Sequence, residues 1–285
     1  MKSIELLSPA TTDELDELLA RYPGTPLLAG ATDLMPLLRR GVLHPARMIG
    51  LHSLRDELGK VEDQGEGLVI GSMSDMALLA SHPTIRQRYP LLAEAAGLIG
   101  APQIQQMATL GGNIANASPA ADSVPPLLVY DASLILQSSA GTREIPLSEF
   151  YLGYKQLALA PTEWIRAVQL PLAPVARGFY SKTGARRAQA IAKLSLAVLI
   201  GTSGSGIFRV AAGALSPFPC RLPGVEDYVR QLLQEDTPLP ENELRRHLAG
   251  DLAPIDDMRS TAAYRLRVAQ NILCNIMREV GIELA

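Results

Sequence analysis

The chain has 285 residues, of which 47% are hydrophobic and 19% charged. That composition supports a sizeable core, and the length suggests two domains or one large one, not a disordered chain. A net charge of −3 and an isoelectric point near 5.9 argue against a general nucleic-acid binder, leaving room only for local basic patches.

The start, "MKSIELLSPATTDELDELL", has no apolar stretch of signal-peptide length. The longest apolar runs, such as "LSLAVLIG", fall far short of a membrane span. Cytoplasm is the expected location. Thr11 or Thr12 is placed to cap a first helix whose opening turn carries Asp13 and Glu14 and whose stripe is Leu15, Leu18 and Leu19, with Gly24 stopping it. "TPLLAGATDLMPLLRRG" reads as a short strand, a turn at Gly30 and a helical turn, with Asp33 as its expected cap. "ARMIGL" is a further strand, so the first fifty or so residues read β-α-β.

From Gly67, "LVIGSMSDMALLASHP" predicts a strand and then a helix capped by Ser74 or Asp75, and "TIRQRYPLLAEAAGLIG" predicts one more helix. "DASLILQSS" and "TREIPLSEFY" read as a hairpin joined at Ala140-Gly141, and "EWIRAVQLPL" as another strand. Pro171 and Pro174 mark a boundary. Beyond it come three strands spaced as an antiparallel meander, "GFYSKTG", "IAKLSLAVLIGT" and "GIFRVAAGAL", and then three helices. In the last helix Tyr264, Val268, Leu273, Ile276 and Val280 fall on roughly one face. Strands and helices cluster rather than alternate, which is an α+β order.

Two stretches carry chemistry. From Ala108 to Ala121 there is no charge, and Gly111-Gly112 is followed by Asn113, Asn116 and Ser118 before Asp122. A glycine pair lets another molecule approach the backbone. Small uncharged neighbours then leave N–H groups to bind an anion, a pyrophosphate above all, through dipoles instead of charges. Asp122 would repel a phosphate and suits a ribose or ribityl hydroxyl. Taken alone, the stretch also fits a plain turn with local Asn and Ser caps. "PLLAGATDLMP" repeats the design about eighty residues earlier, and the two loops together could grip the ends of one dinucleotide. Neither matches the Rossmann or P-loop glycine pattern. Cys220 and Cys274 match no zinc or cluster spacing, and His44, His52, His82 and His247 are scattered, so this chain is not expected to build a metal site.

Together these residues resemble the FAD-binding medium subunit of the molybdenum hydroxylases, the family of xanthine dehydrogenase and carbon monoxide dehydrogenase. The family's AGGTD motif is matched by Ala29-Gly30-Ala31-Thr32-Asp33. Its T(I/L)GGN…SP…D motif is matched by Thr109-Leu110-Gly111-Gly112-Asn113, Ser118-Pro119 and Asp122. "GFYSKTGARRAQAIAKLSLAV" resembles the family's entry to its C-terminal domain. The likeness runs from about residue 3 to about residue 280.

The resemblance implies an α+β fold. An FAD-binding PCMH-type domain spans 1–173, with subdomains of about 1–55 and 56–173. A carbon monoxide dehydrogenase flavoprotein C-terminal-type domain, a three-stranded antiparallel sheet plus helices, spans 174–285. It implies that Leu27, Leu28, Ala29, Gly30, Ala31, Thr32, Asp33 and Leu34 hold the pyrophosphate side of FAD. Thr109, Gly111, Gly112 and Asn113 hold the other side, with Gly112 in close approach, and Asp122 takes a hydroxyl. Ile165 makes a backbone contact, Ile99 is an apolar neighbour, and Lys182 and Ile191 lie near the flavin. Lys182, Arg186 and Arg187 also read as a plain solvated face, and Tyr180 as either a flavin neighbour or core. The one departure from the motif is Ala31 for glycine, which the backbone tolerates well only at negative φ.

No Ser-His-Asp set, catalytic carboxylate pair or nucleophilic cysteine is in view, so a bound flavin would do the chemistry. With no His or Cys in either loop, FAD is expected to be non-covalent. By resemblance, iron–sulfur clusters sit on a small partner subunit and molybdopterin on a large one, in a dimer of heterotrimers, with NAD, a quinone or oxygen taking the electrons. Two other readings stay open: a stand-alone flavoenzyme of the UDP-N-acetylmuramate-forming reductase type, which needs its own proton donor, and a scaffold subunit without flavin.

Overall fold

The computed structural model describes residues 4–202, 205–235 and 237–284. Among the described residues, three sheets of three or more strands follow one another along the chain. The first is small and parallel: β1 (Glu5–Leu7), β2 (Leu27–Leu28) and β3 (Arg47–Gly50), with β3 in the middle. Ile49 pairs with both Leu7 and Leu27. The helix Thr12–Arg21 covers it. Its cap is Thr11, whose hydroxyl accepts from the Glu14 N–H, and Leu15 and Leu19 are buried beneath it. Gly24 takes a left-handed φ of 73° just beyond.

The second sheet holds β4 (Val61–Asp63), β5 (Gly67–Gly71), β6 (Ser133–Ser138), β7 (Gly141–Pro146) and, after the small hairpin β8 (Tyr151–Gly153) and β9 (Gln156–Leu157), β10 (Trp164–Pro171). Its order is β4-β5-β10-β6-β7, antiparallel throughout. The last strand in sequence is therefore the central one, with Val168 facing Ile70 on one side and Leu134 on the other. Asp75 caps the helix Met76–Ser81 through the Leu78 N–H.

The third sheet is the antiparallel meander β11 (Ala176–Thr183), β12 (Leu194–Gly201) and β13 (Phe208–Gly213), edged by the two-residue β14 (Cys220–Arg221). Strand β12 is buried on both faces. Ala197 and Leu199 join the core of the second sheet, while Leu194, Leu196 and Val198 join a separate core with the helices Pro223–Glu235, Glu241–Asp251 and Ala262–Glu279. This double burial explains why "LSLAVLIG" lacks alternation. Among the described residues no helix is long and apolar enough to cross a membrane.

Three local expectations need correction. "TIRQRYPLLAEAAGLIG" is two helices, Pro83–Arg88 and Pro90–Gly97, because Pro90 has no N–H and cannot continue a helix. "LSEFY" leaves the hairpin for a short helix, Leu147–Phe150. In the last helix Tyr264 is exposed and Arg265 is buried instead. Arg265 donates to the carbonyl of Ala214 at 2.9 Å, to that of Lys193 and to Asp257 at 2.6 Å. Both terminal nitrogens of this buried guanidinium meet acceptors, while its Nε meets none among the described residues; such partners offset the cost of burial and are not reported by hydrophobic periodicity.

Candidate functional site

A cleft of about 480 Å³ lies where the two glycine loops meet the end of β10. Leu27, Ala29, Gly30, Ala31, Thr32, Asp33 and Leu34 line one side. Thr109, Gly111, Gly112 and Asn113 line another, and Ile165 is on the wall. Leu28 is in β2 beside this cleft, paired with Gly50.

One glycine in each loop packs tightly against neighbouring chain. A Cβ on Gly30 would fall 1.7 Å from the Met107 carbonyl oxygen, and one on Gly111 would fall 2.6 Å from the Ser72 Cβ. Both glycines therefore serve protein–protein backbone contact. At Gly112 an added Cβ would meet the Thr109 hydroxyl at 2.8 Å, within the loop's own cap.

The anion-binding amides expected in the second loop are already engaged. Leu110 and Gly111 donate to the carbonyls of Ser74 and Ser72, both at 2.9 Å, and Asn113 donates to Thr109. Gly112 donates to the Thr109 hydroxyl at 3.2 Å, which makes Thr109 the cap of the short helix Leu110–Ala115. The first loop is different. Among the described residues, the N–H groups of Gly30, Ala31, Thr32 and Asp33 donate to no protein acceptor, and all four residues line the cleft. Unpaired backbone donors in a concavity form a site for negative charge.

The loop adopts this shape at a cost. Ala31 has a φ of 60°, the left-handed conformation that alanine tolerates less well than glycine. Its carbonyl accepts from the Met35 N–H and starts the helix Leu34–Arg39. Asp33 occupies the cap position, but its side chain makes no capping hydrogen bond. Its carboxylate stays available to the cleft.

The wall has its own polar support. Trp164, the only tryptophan, lines the cleft and donates its indole N–H to Asp16 at 2.6 Å. Gln137 donates to the second Asp16 oxygen at 2.7 Å. Glu163 also lines the cleft. Arg143 grips it at 2.6 and 2.8 Å, and the guanidinium holds its carboxyl below the usual range. Glu163, Trp164 and the Leu159–Pro161 turn are lining residues that motif reading does not find, since none belongs to a spaced pattern; Asn116, within the uncharged run, lines the cleft as well.

Five residues expected at the site do not line this cleft: Leu28, which is beside it in β2, and Ile99, Asp122, Lys182 and Ile191. Lys182 donates to Asp122 at 2.6 Å and to the Leu98 carbonyl at 2.8 Å, so it sits beside Ile99 in a second polar cluster. The half-buried Tyr180 hydroxyl approaches Asp122 at 3.4 Å, as a further partner of the pair. Burial pushes the Asp122 carboxyl upward, against the pull of Lys182. Ile191 is exposed. One hydrogen bond connects the cluster to the cleft: Ser123, next to Asp122, donates to the side chain of Asn113 at 2.7 Å.

The family model described as the FAD binding domain in molybdopterin dehydrogenase matches residues 2–173. That of the CO dehydrogenase flavoprotein C-terminal domain matches residues 179–280. The xanthine dehydrogenase FAD-binding subunit of Escherichia coli O157:H7 is 29% identical over 277 residues, covering 95% of this chain and 93% of that one. The carbon monoxide dehydrogenase medium chain of Hydrogenophaga pseudoflava is 28% identical over 245 residues, covering 85% and 84%. Among solved structures, a carbon monoxide dehydrogenase from Hydrogenophaga pseudoflava that lacks the Mo-pyranopterin moiety superimposes with a TM-score of 0.86 at 25% identity, covering 95% of each chain. The two family models and these relatives, together spanning nearly the whole chain, place it in the family of FAD-binding medium subunits of the molybdenum hydroxylases.

Proposed function

We propose that the cleft between the two glycine loops holds the dinucleotide part of FAD. Gly30 to Asp33 would receive the pyrophosphate, and Thr109, Gly111, Gly112, Asn113 and Ile165 would form the facing wall. This reading stands on the four cleft-lining amides without protein acceptors, a donor set suited to an anion. A cleft of this volume lies within the roughly 300–1,000 Å³ usual for small-molecule sites. Asp33, uncapped and beside the amides, suits a hydroxyl. Ile99, Asp122, Lys182 and Ile191 are assigned to the flavin end on the family likeness alone. The same likeness supports an FAD domain over 1–173 and a second domain over 174–285.

When bound, the flavin supplies an electron relay between the iron–sulfur clusters of a small partner subunit and an external acceptor: NAD, a quinone or oxygen. The chain's own residues bind and orient that cofactor. Asp16 and Gln137 fix the Trp164 wall, and Arg143 neutralises Glu163 so that it does not repel the phosphates. Substrate oxidation belongs to a large molybdopterin subunit, and the assembly is a dimer of heterotrimers in the cytoplasm.

The test begins with the purified chain. It should carry one yellow chromophore per chain that acid precipitation releases completely and that chromatography identifies as FAD. Flavin retained in the pellet would refute non-covalent binding, and a colourless chain that takes up no added FAD would refute the cofactor assignment.

A further inference from the structure

The cleft presents a charge problem for an anionic ligand. Among the described residues lining it, the ionisable side chains are Asp33 and Glu163, both acidic. Arg143 pairs with Glu163. Asp33 makes no ion pair within 4 Å among the described residues. Neither glycine loop contributes a cation, so a dinucleotide phosphate would meet amide dipoles beside an uncompensated carboxylate.

A cation comes from elsewhere in the chain. Lys155 sits in the turn between β8 and β9, at a left-handed φ of 57°. Its ammonium donates to the backbone carbonyl of Asn116 and, at 3.1 Å, to the Asn116 side-chain oxygen. Asn116 ends the helix of the second loop and lines the cleft. Burial pushes the Lys155 ammonium down, and the charge of Asp33, at the end of the first loop, opposes that shift. A hairpin thus brings one lysine to the rim where the two loops face each other. An ammonium has three donors, and Asn116 uses two.

We infer that Lys155 is a cofactor-binding residue, whose remaining N–H takes a phosphate oxygen of the bound dinucleotide while its charge offsets Asp33. This rests on the FAD reading above. It would make the chain select phosphate-bearing flavins by a point charge as well as by amide dipoles. Lys155 ties the loops through Asn116 and does not carry either one, so removing its charge leaves the fold in place.

The experiment uses the full-length chain, stripped of flavin and titrated with FAD at 20 mM and 500 mM NaCl, as wild type, Lys155→Gln and Lys155→Arg. Wild type should weaken with salt, because an ammonium–phosphate contact is screened over a few ångströms at high ionic strength. Lys155→Gln should bind FAD about ten-fold more weakly at low salt, about 1.4 kcal/mol, and lose most of the salt dependence. Lys155→Arg should restore both. If Lys155→Gln binds FAD as wild type does, or weakens it while keeping the wild-type salt dependence, Lys155 does not contact the phosphate and the inference falls. A wild type that binds no FAD at either salt concentration would instead overturn the cofactor assignment itself.

Discussion

Placing a negative charge at residue 31 tests the amide site directly. Ala31 lies in the middle of the run of unpaired amides at a φ of 60°. Most side chains are disfavoured in that conformation, but Asp and Asn adopt it several-fold more often than others. Ala31→Asp and Ala31→Asn therefore fit the same backbone and differ in one charge. If the pyrophosphate rests on these amides, a carboxylate at residue 31 lies at about van der Waals range of a phosphate oxygen. Two like charges about 4 Å apart, at an effective dielectric constant near 20, repel by about 4 kcal/mol. That corresponds to roughly a thousand-fold in affinity, and to about a hundred-fold once partial solvent exposure of the cleft is allowed for. The assay is titration of the flavin-free chain with FAD, read by quenching of flavin fluorescence, with a thermal melt of each flavin-free variant as a control for folding. Ala31→Asn should bind within a few-fold of wild type and melt at or slightly above it. Ala31→Asp should melt like Ala31→Asn and bind FAD at least a hundred-fold more weakly. Equal FAD affinity in the two variants would refute the placement of the phosphates on this loop.

Three further outcomes follow from the same geometry. Asp16→Ala leaves the buried donors of Trp164 and Gln137 without their acceptor; denaturant unfolding should show a loss of about 2–4 kcal/mol, with a shift in the emission of the single tryptophan. The carboxyl of Glu163 is held below its ordinary value, so its pair with Arg143 contributes stability above pH 4.5 that is lost as pH falls through the lowered value. Melts of Arg143→Gln from pH 7 to pH 3 should accordingly show a shallower acid decline than wild type, and a parallel decline would rule out this source. Gly111→Val should destabilise the flavin-free chain as well as the holo form, because its side chain meets Ser72 and not the cofactor; a variant of wild-type melting temperature that fails only to bind FAD would show that Gly111 faces the ligand instead.

Local signals in the sequence located much of this molecule. The helix at Thr12–Arg21 follows from a Thr cap, two acids and a leucine stripe, all within a few residues of one another. Both glycine loops are visible because each is a contiguous run whose composition departs from its surroundings. Both line one cleft, Gly30–Asp33 on one side and Thr109, Gly111, Gly112 and Asn113 on another. Contacts across long separations decided the rest. Trp164 meets its acceptor 148 residues away, and Lys155 reaches Asn116 across 39. The last strand of the second sheet becomes its centre, which no local pattern encodes. The division of labour between the loops is likewise tertiary. Whether an amide is free for an anion depends on whether an acceptor is placed to take its hydrogen, and Ser72 and Ser74 accept from the second loop while no acceptor among the described residues takes the first-loop amides. Periodicity and capping are set by neighbours along the chain, whereas hydrogen-bond satisfaction, left-handed φ values such as that of Ala31 and the delivery of a cation to a rim depend on what folding brings alongside.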